Sequence, residues 1–174
     1  MTIYTFGHGT AGEAELASLV RNAGVRRVVD VRSVPKSRLH PHVWAERLAI
    51  WLPELAGASY QWRRELGGFR KPRPESPNAA LRHPAFRGYA DYMQTPAFAG
   101  ALEALVNDGA REPTAIMCSE TLWWRCHRRM IADALVLLCD VEVLHLTPSR
   151  GAHRRTPGVR ILPNQTLQYD RSEQ

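Results

Sequence analysis

The chain has 174 residues, 44% hydrophobic and 23% charged, a size and balance suited to one globular domain with its own core. No apolar run approaches the ~20 residues that a membrane-spanning helix requires, which excludes an integral helical membrane protein. A net charge of +6 points to an anionic partner, either nucleic acid or a phosphorylated small molecule, though the basic residues are dispersed in pairs and 21 of the 23 are arginine.

Ile3 to Phe6 is predicted as a short buried strand ending at Gly7-His8-Gly9-Thr10. Thr10 is placed to cap a helix whose apolar face carries Leu16, Leu19, Val20 and Ala23, with Gly24 as its stop. The β-branched run Val25 to Val31 predicts a second strand, followed by a proline-punctuated loop from Asp30 to Arg38. A second helix is expected over about Val43 to Leu55, kinked or ended early by Pro53, and a third strand over Ala58 to Trp62. Phe69 to Pro84 holds four prolines and reads as an exposed excursion of the kind that forms a functional loop or lid. Two helices follow, Pro84 to Met93 and Pro96 to Asn107, then a strand over Thr114–Met117, a helix from Arg128 to Leu138, and a strand over Val141 to Leu146.

Strands alternating with helices predict an α/β fold, a Rossmann-like three-layer arrangement of a mostly parallel sheet flanked by helices. One domain is expected over residues 1–150, with a basic carboxyl-terminal extension over 151–174 that contributes one short strand near Val159–Leu162. In such a sheet, each polar segment that follows a strand arrives at the same edge, where ligands bind. The amino terminus shows no secretory pattern and three cysteines make no even disulfide framework, so a cytoplasmic location is expected.

The chemistry concentrates at Met117-Cys118-Ser119-Glu120 and Cys126-His127-Arg128, a strand-to-helix junction carrying two thiols, a carboxylate, an imidazole and guanidinium groups. A thiol at a strand's carboxyl end, ahead of a helix start, sits where its pKa is lowered, and Cys118 is the expected nucleophile. Glu120 and His127 are the candidate proton-transfer groups. Cys126 is a resolving thiol, a metal ligand or a packing residue. Asp30 and Arg32, two apart on one strand, share a face and either bind substrate or satisfy each other. His8 between glycines, Ser37, Arg32 and Arg128 complete the expected binding set. Trp123 and Trp124 cannot both point inward from a polar loop, and Trp123 is assigned to stacking on a base or ring. No cofactor is expected; zinc is the alternative, with Cys118, Cys126, His127, His8 and His145 as possible donors.

Together, Gly7-His8-Gly9-Thr10, Asp30-Val31-Arg32 with Pro35 and Ser37, Leu66-Gly67-Gly68, Tyr89-Ala90 with Tyr92-Met93, the two cysteine motifs and Val143-Leu144-His145-Leu146 resemble the bacterial and archaeal family named domain of unknown function 488. The resemblance spans about residues 3 to 148 and implies an α/β fold without implying a reaction. The expectation is a cysteine-dependent enzyme acting on an anionic substrate such as a nucleotide or nucleic-acid base. The alternatives are a nucleic-acid binding module without catalysis, and a thiol- or metal-based sensor using Cys118 and Cys126.

Overall fold

The structure, a computed structural model, describes residues 1–171, so residues 172–174 of the expected extension lie outside the described residues. Its elements run β1 (Thr2–Gly7), α1 (Glu13–Asn22), β2 (Arg27–Asp30), α2 (Ala45–Trp51), β3 (Ser59–Trp62), α3 (Pro84–Tyr92), α4 (Pro96–Arg111), β4 (Thr114–Cys118), α5 (Arg128–Cys139) and β5 (Glu142–His145). Three short strands follow: β6 (Gly151–Ala152), β7 (Val159–Ile161) and β8 (Leu167–Tyr169). The main sheet has the order β3-β2-β4-β1-β5-β6, parallel throughout except for β6, which runs against β5. This is the expected three-layer α/β arrangement.

The period-two pattern of the strands divides the core in two. Phe6, Val28, Ala115 and Met117 face α1 and α2, where Leu16, Val20, Leu48 and Leu52 cover them. Ile3, Val29, Val31, Ile116 and Val143 face the other way, under Tyr89, Phe98, Leu105, Met130, Ile131 and Leu135 of α3, α4 and α5. The central strands are buried on both faces, which accounts for their almost unbroken apolar sequence.

Three local expectations change. Helix α1 begins at Glu13 rather than after Thr10, with Gly12 in the capping position and no side-chain cap, because Gly7 to Gly9 is held against the β4 exit and delays the helix. Helix α2 is shorter than expected; from Leu52 to Ala56 the backbone widens into a π-helical turn that admits Pro53. The segment from Gly151 supplies three strands, with Leu167 and Tyr169 of β8 buried in the α4/α5-side core.

Strands β1 and β4 are neighbours, yet their connections leave in opposite directions. The chain after β1 crosses through α1 toward β2, and the chain after β4 crosses through α5 toward β5. Such a reversal opens a crevice at the carboxyl ends of the two strands.

Candidate active site

A cavity of ≈ 740 Å³ occupies that crevice. His8, Arg32, Ser37, Cys118, Glu120, Cys126 and His127, all predicted from sequence, line it. Asp30 and Arg128 lie behind the wall, each 0% exposed. Trp123 is not in the wall: its indole stacks flat on His145, centroids 4.2 Å apart, and the adjacent Trp124 lines the cavity instead.

Close backbone packing builds the junction. His8 N–H donates to the Cys118 carbonyl at 2.9 Å and Gly9 N–H to the Ser119 carbonyl at 2.8 Å, zipping the β1 exit to the β4 exit. A side chain at Gly7 has no room, since a Cβ there would lie 1.8 Å from the Glu120 carbonyl oxygen. At Gly68 the equivalent atom would lie 2.6 Å from His127 Nδ1, so the glycine lets the loop after β3 press against the imidazole.

His127 has an orientation fixed by its partners. Its Nε2 faces the carbonyl oxygens of Val31 at 2.9 Å and Leu66 at 3.1 Å. Carbonyls only accept, so Nε2 carries a proton and Nδ1 is left to address Cys126 Sγ at 3.7 Å. Tyr89, whose hydroxyl also donates to the Leu66 carbonyl, packs edge-on against the ring at 5.0 Å.

Cys126 Sγ is surrounded by donors. Arg128 contributes its main-chain N–H at 3.5 Å and its Nε at 3.4 Å. The rest of the guanidinium is spoken for: Nη1 donates to Thr5 Oγ1 at 3.3 Å and Nη2 to the Glu120 and Thr121 carbonyls. Arg128 is fully buried, and among the described residues no carboxylate lies within ion-pairing distance of it. A buried unpaired cation is costly, and guanidinium does not deprotonate in proteins. The available counter-charge is the Cys126 sulfur as thiolate. Burial pushes the Cys126 thiol up, but hydrogen bonding from Cys118, the charge and hydrogen bond of His127 and the Arg128 charge outweigh it and hold the group well below an ordinary thiol. Cys118 moves the opposite way: giving its proton toward Cys126, together with burial, raises it well above that range. Sequence position had favoured Cys118 as the ionised thiol; the charges around the pair favour Cys126.

On the opposite side of the sheet, Arg32 grips Asp30 through Nε at 2.9 Å and Nη2 at 2.6 Å, while Tyr60 donates to the same carboxylate at 2.6 Å. Asp30 and Arg32 therefore satisfy each other, and Arg32 also borders the cavity. Its Nη1 lies 3.5 Å from His8 Nε2, and His8 Nδ1 donates to the Gly9 carbonyl at 2.9 Å. Burial, opposed by that carbonyl and reinforced by Arg32, lowers His8 to about 4, so it is neutral. Ser37 turns its hydroxyl oxygen to the His40 N–H, and Glu120 accepts from Leu122 N–H at 3.0 Å while remaining exposed. Among the described residues, the cavity wall thus carries Lys36, Arg125 and Arg32 against the carboxylate of Glu120, with Phe69, Phe86 and Trp124 as its aromatic surfaces.

Cys118 Sγ, Cys126 Sγ and a His127 ring nitrogen lie within 4.8 Å of one another, a donor set of the kind a soft divalent cation uses. A dication there would sit beside the buried Arg128 guanidinium, whose Nε already points at Cys126 Sγ.

Sequence reasoning missed Tyr60, Phe69, Phe86, Thr5 and His153, and Tyr89 entered it only as part of the motif Tyr89-Ala90. Tyr60 lay on a predicted strand beside the one bearing Asp30, which was a usable signal. Phe69 sat in the proline-rich excursion read as a possible lid. His153 has no local pattern to mark it.

The family model described as "Domain of unknown function DUF488" matches residues 14–135. No curated protein and no solved structure matches the chain.

Proposed function

Given that the chain belongs to the DUF488 family, whose description names no reaction, we propose that it is a cysteine-dependent enzyme whose nucleophile is Cys126 and whose substrate is an anion carrying a planar ring, a nucleotide or nucleic-acid base being the fitting class. The observation that carries this reading is the fully buried Arg128, paired with no carboxylate among the described residues and aiming both Nε and its main-chain N–H at Cys126 Sγ. A thiolate at the amino end of α5 also gains from the positive end of the helix dipole.

The chemistry follows from the fixed donors. Cys126 Sγ gives an electron pair to an electrophilic atom of the substrate, and the bond from that atom to the leaving group breaks. His127 Nδ1, the bare nitrogen of a ring whose Nε2 proton is held by two carbonyls, takes the Cys126 thiol proton as the thiolate forms and passes it to the leaving group. Cys118, still protonated, hydrogen-bonds the thiolate and so favours its ionised form. When His127 is protonated, it and Arg128 outweigh the thiolate by one positive charge, and an anionic substrate restores balance. Lys36 and Arg125 at the wall favour the same charge, and Trp124, Phe69 and Phe86 offer faces to a ring.

The test uses two alkylating probes that differ in charge. Iodoacetate, relative to iodoacetamide, is expected to label Cys126 about tenfold more effectively than it labels free cysteine, and AMP is expected to protect Cys126 better than adenosine does. Labelling confined to Cys118, or a probe preference equal to that of free cysteine with no protection by AMP, contradicts the proposal.

A further inference from the structure

Arg128 is anchored from beneath by a continuous string of buried side chains. Its Nη1 donates to Thr5 Oγ1 at 3.3 Å; Thr5 Oγ1 lies 2.6 Å from His145 Nδ1; His145 Nε2 lies 3.0 Å from His153 Nδ1; and His153 Nε2 lies 2.8 Å from Asp133 Oδ1. Asp133 is completed by the Thr156 N–H at 2.9 Å and the Tyr169 hydroxyl at 2.9 Å. Arg128, Thr5, His145, Asp133 and Tyr169 are all 0% exposed.

The two ends fix the direction of every proton between them. Guanidinium only donates, so the Thr5 oxygen receives from Arg128; the Asp133 carboxylate only accepts, so with both rings neutral Thr5 turns its own proton toward His145 Nδ1. That leaves the His145 proton on Nε2, directed to His153 Nδ1, and the His153 proton on Nε2, directed to Asp133. Reversing one neutral ring alone would set two N–H groups or two lone pairs face to face. Burial, with Arg128 nearby, lowers His145 to about 3, in keeping with a neutral ring. Trp123 stacks flat on His145 and covers one face of its ring. The result is a one-way series from a buried cation to a buried carboxylate, in which each hydrogen bond polarises the next.

We propose that Thr5, His145, His153 and Asp133 are positioning residues of the active site, holding the Arg128 guanidinium against Cys126 Sγ. This rests on Cys126 being the thiolate. It assigns a role to segments beyond the family match at residues 14–135, because Thr5 comes from β1, His145 from β5 and His153 from the stretch after β6. The groups that face Cys126 remain Cys118, His127 and Arg128; those that face the two histidines are Arg128, Trp123, Asp133 and Thr5. A bare packing role would affect stability alone, whereas positioning of Arg128 must also register at the sulfur.

The experiment reads the pH midpoint of iodoacetamide labelling at Cys126 in the full chain, with thermal melting recorded alongside. Thr5→Val removes the hydroxyl with little change in shape, and the midpoint is expected to rise by about one pH unit, roughly a tenfold loss of thiolate below the midpoint. Thr5→Ser restores the hydroxyl and is expected to return the midpoint to the wild-type value. His153→Phe breaks the string two links further on and is expected to raise the midpoint in the same direction, which carries the test should Thr5→Val not fold. A low wild-type midpoint that neither Thr5→Val nor His153→Phe moves overturns the positioning role alone. A wild-type midpoint in the ordinary thiol range overturns the thiolate reading, and this proposal with it.

Discussion

Cys126 and Arg128 stand two residues apart at the entry to α5, and that spacing lets one arginine address the sulfur twice, through its main chain and its side chain. His127, between them, reaches back to the same atom because two carbonyls hold its far nitrogen. Placement of the ring depends on Gly68, and Gly68→Ala would put a methyl group 2.6 Å from Nδ1. Labelling of Cys126 by iodoacetamide near neutral pH is expected to slow by roughly 10- to 100-fold in that variant, the usual penalty for displacing a reacting group by about 1 Å; an unchanged rate would separate His127 from the sulfur's reactivity. At this scale the sequence disclosed which residues gather but not how they divide the charge. Cys118 was favoured because a strand end precedes it. The preference for Cys126 arises from an arginine side chain curling back along its own helix, a rotamer choice that spacing alone does not encode. Trp123 and Trp124 illustrate the same limit: that one of them leaves the cavity was legible, but which one depended on His145, distant in sequence and adjacent in space.

Among the elements, β2 carries the ion pair that props the cavity's other wall. Asp30 is 0% exposed and Arg32 5%, so removing one partner strands a charge. Asp30→Ala is expected to cost about 3 kcal/mol or more in chemical denaturation, where a surface pair would cost well under 1. The β7–β8 hairpin also matters to the core. Leu167 is 1% exposed, and Leu167→Ala is expected to destabilise the chain by roughly 2–4 kcal/mol, whereas a detached extension would show no change. The longer elements were readable because apolar alternation or a repeating helical face persisted through them. Strands β6, β7 and β8 span two or three residues each, too short for a period to emerge, so the segment after Thr147 read mainly as a polar tail. The late start of α1 escaped for a different reason: the contacts that hold Gly7 to Gly9 come from the exit of β4, adjacent in the sheet but distant in sequence.

For the molecule as a whole, the parallel order β3-β2-β4-β1-β5 delivers the ends of four consecutive sheet segments to one crevice, and this convergence was implied by strand–helix alternation alone. Burial of two neutral histidines has a consequence for acid stability. His8 and His145 fall from 6.5 to about 4 and about 3 on folding, so the fold favours their neutral forms. Their contribution to stability is therefore full above about pH 6.5 and is lost progressively as pH drops toward those folded values. The melting temperature is expected to decline from pH 6.5 downward, with a shallower decline in His8→Asn; equal slopes in the two proteins would remove His8 from the account. No helix of the described chain is long and apolar enough to cross a membrane.

The most direct measurement is a carbon-13 NMR titration of the protein labelled at cysteine Cβ, following Cys118, Cys126 and Cys139 individually between about pH 4 and pH 10. The account requires Cys126 to ionise well below the ordinary thiol range, with Cys118 still protonated well above it. A Cys126 resonance that titrates above about pH 8, or a Cys118 resonance that ionises first, would contradict it.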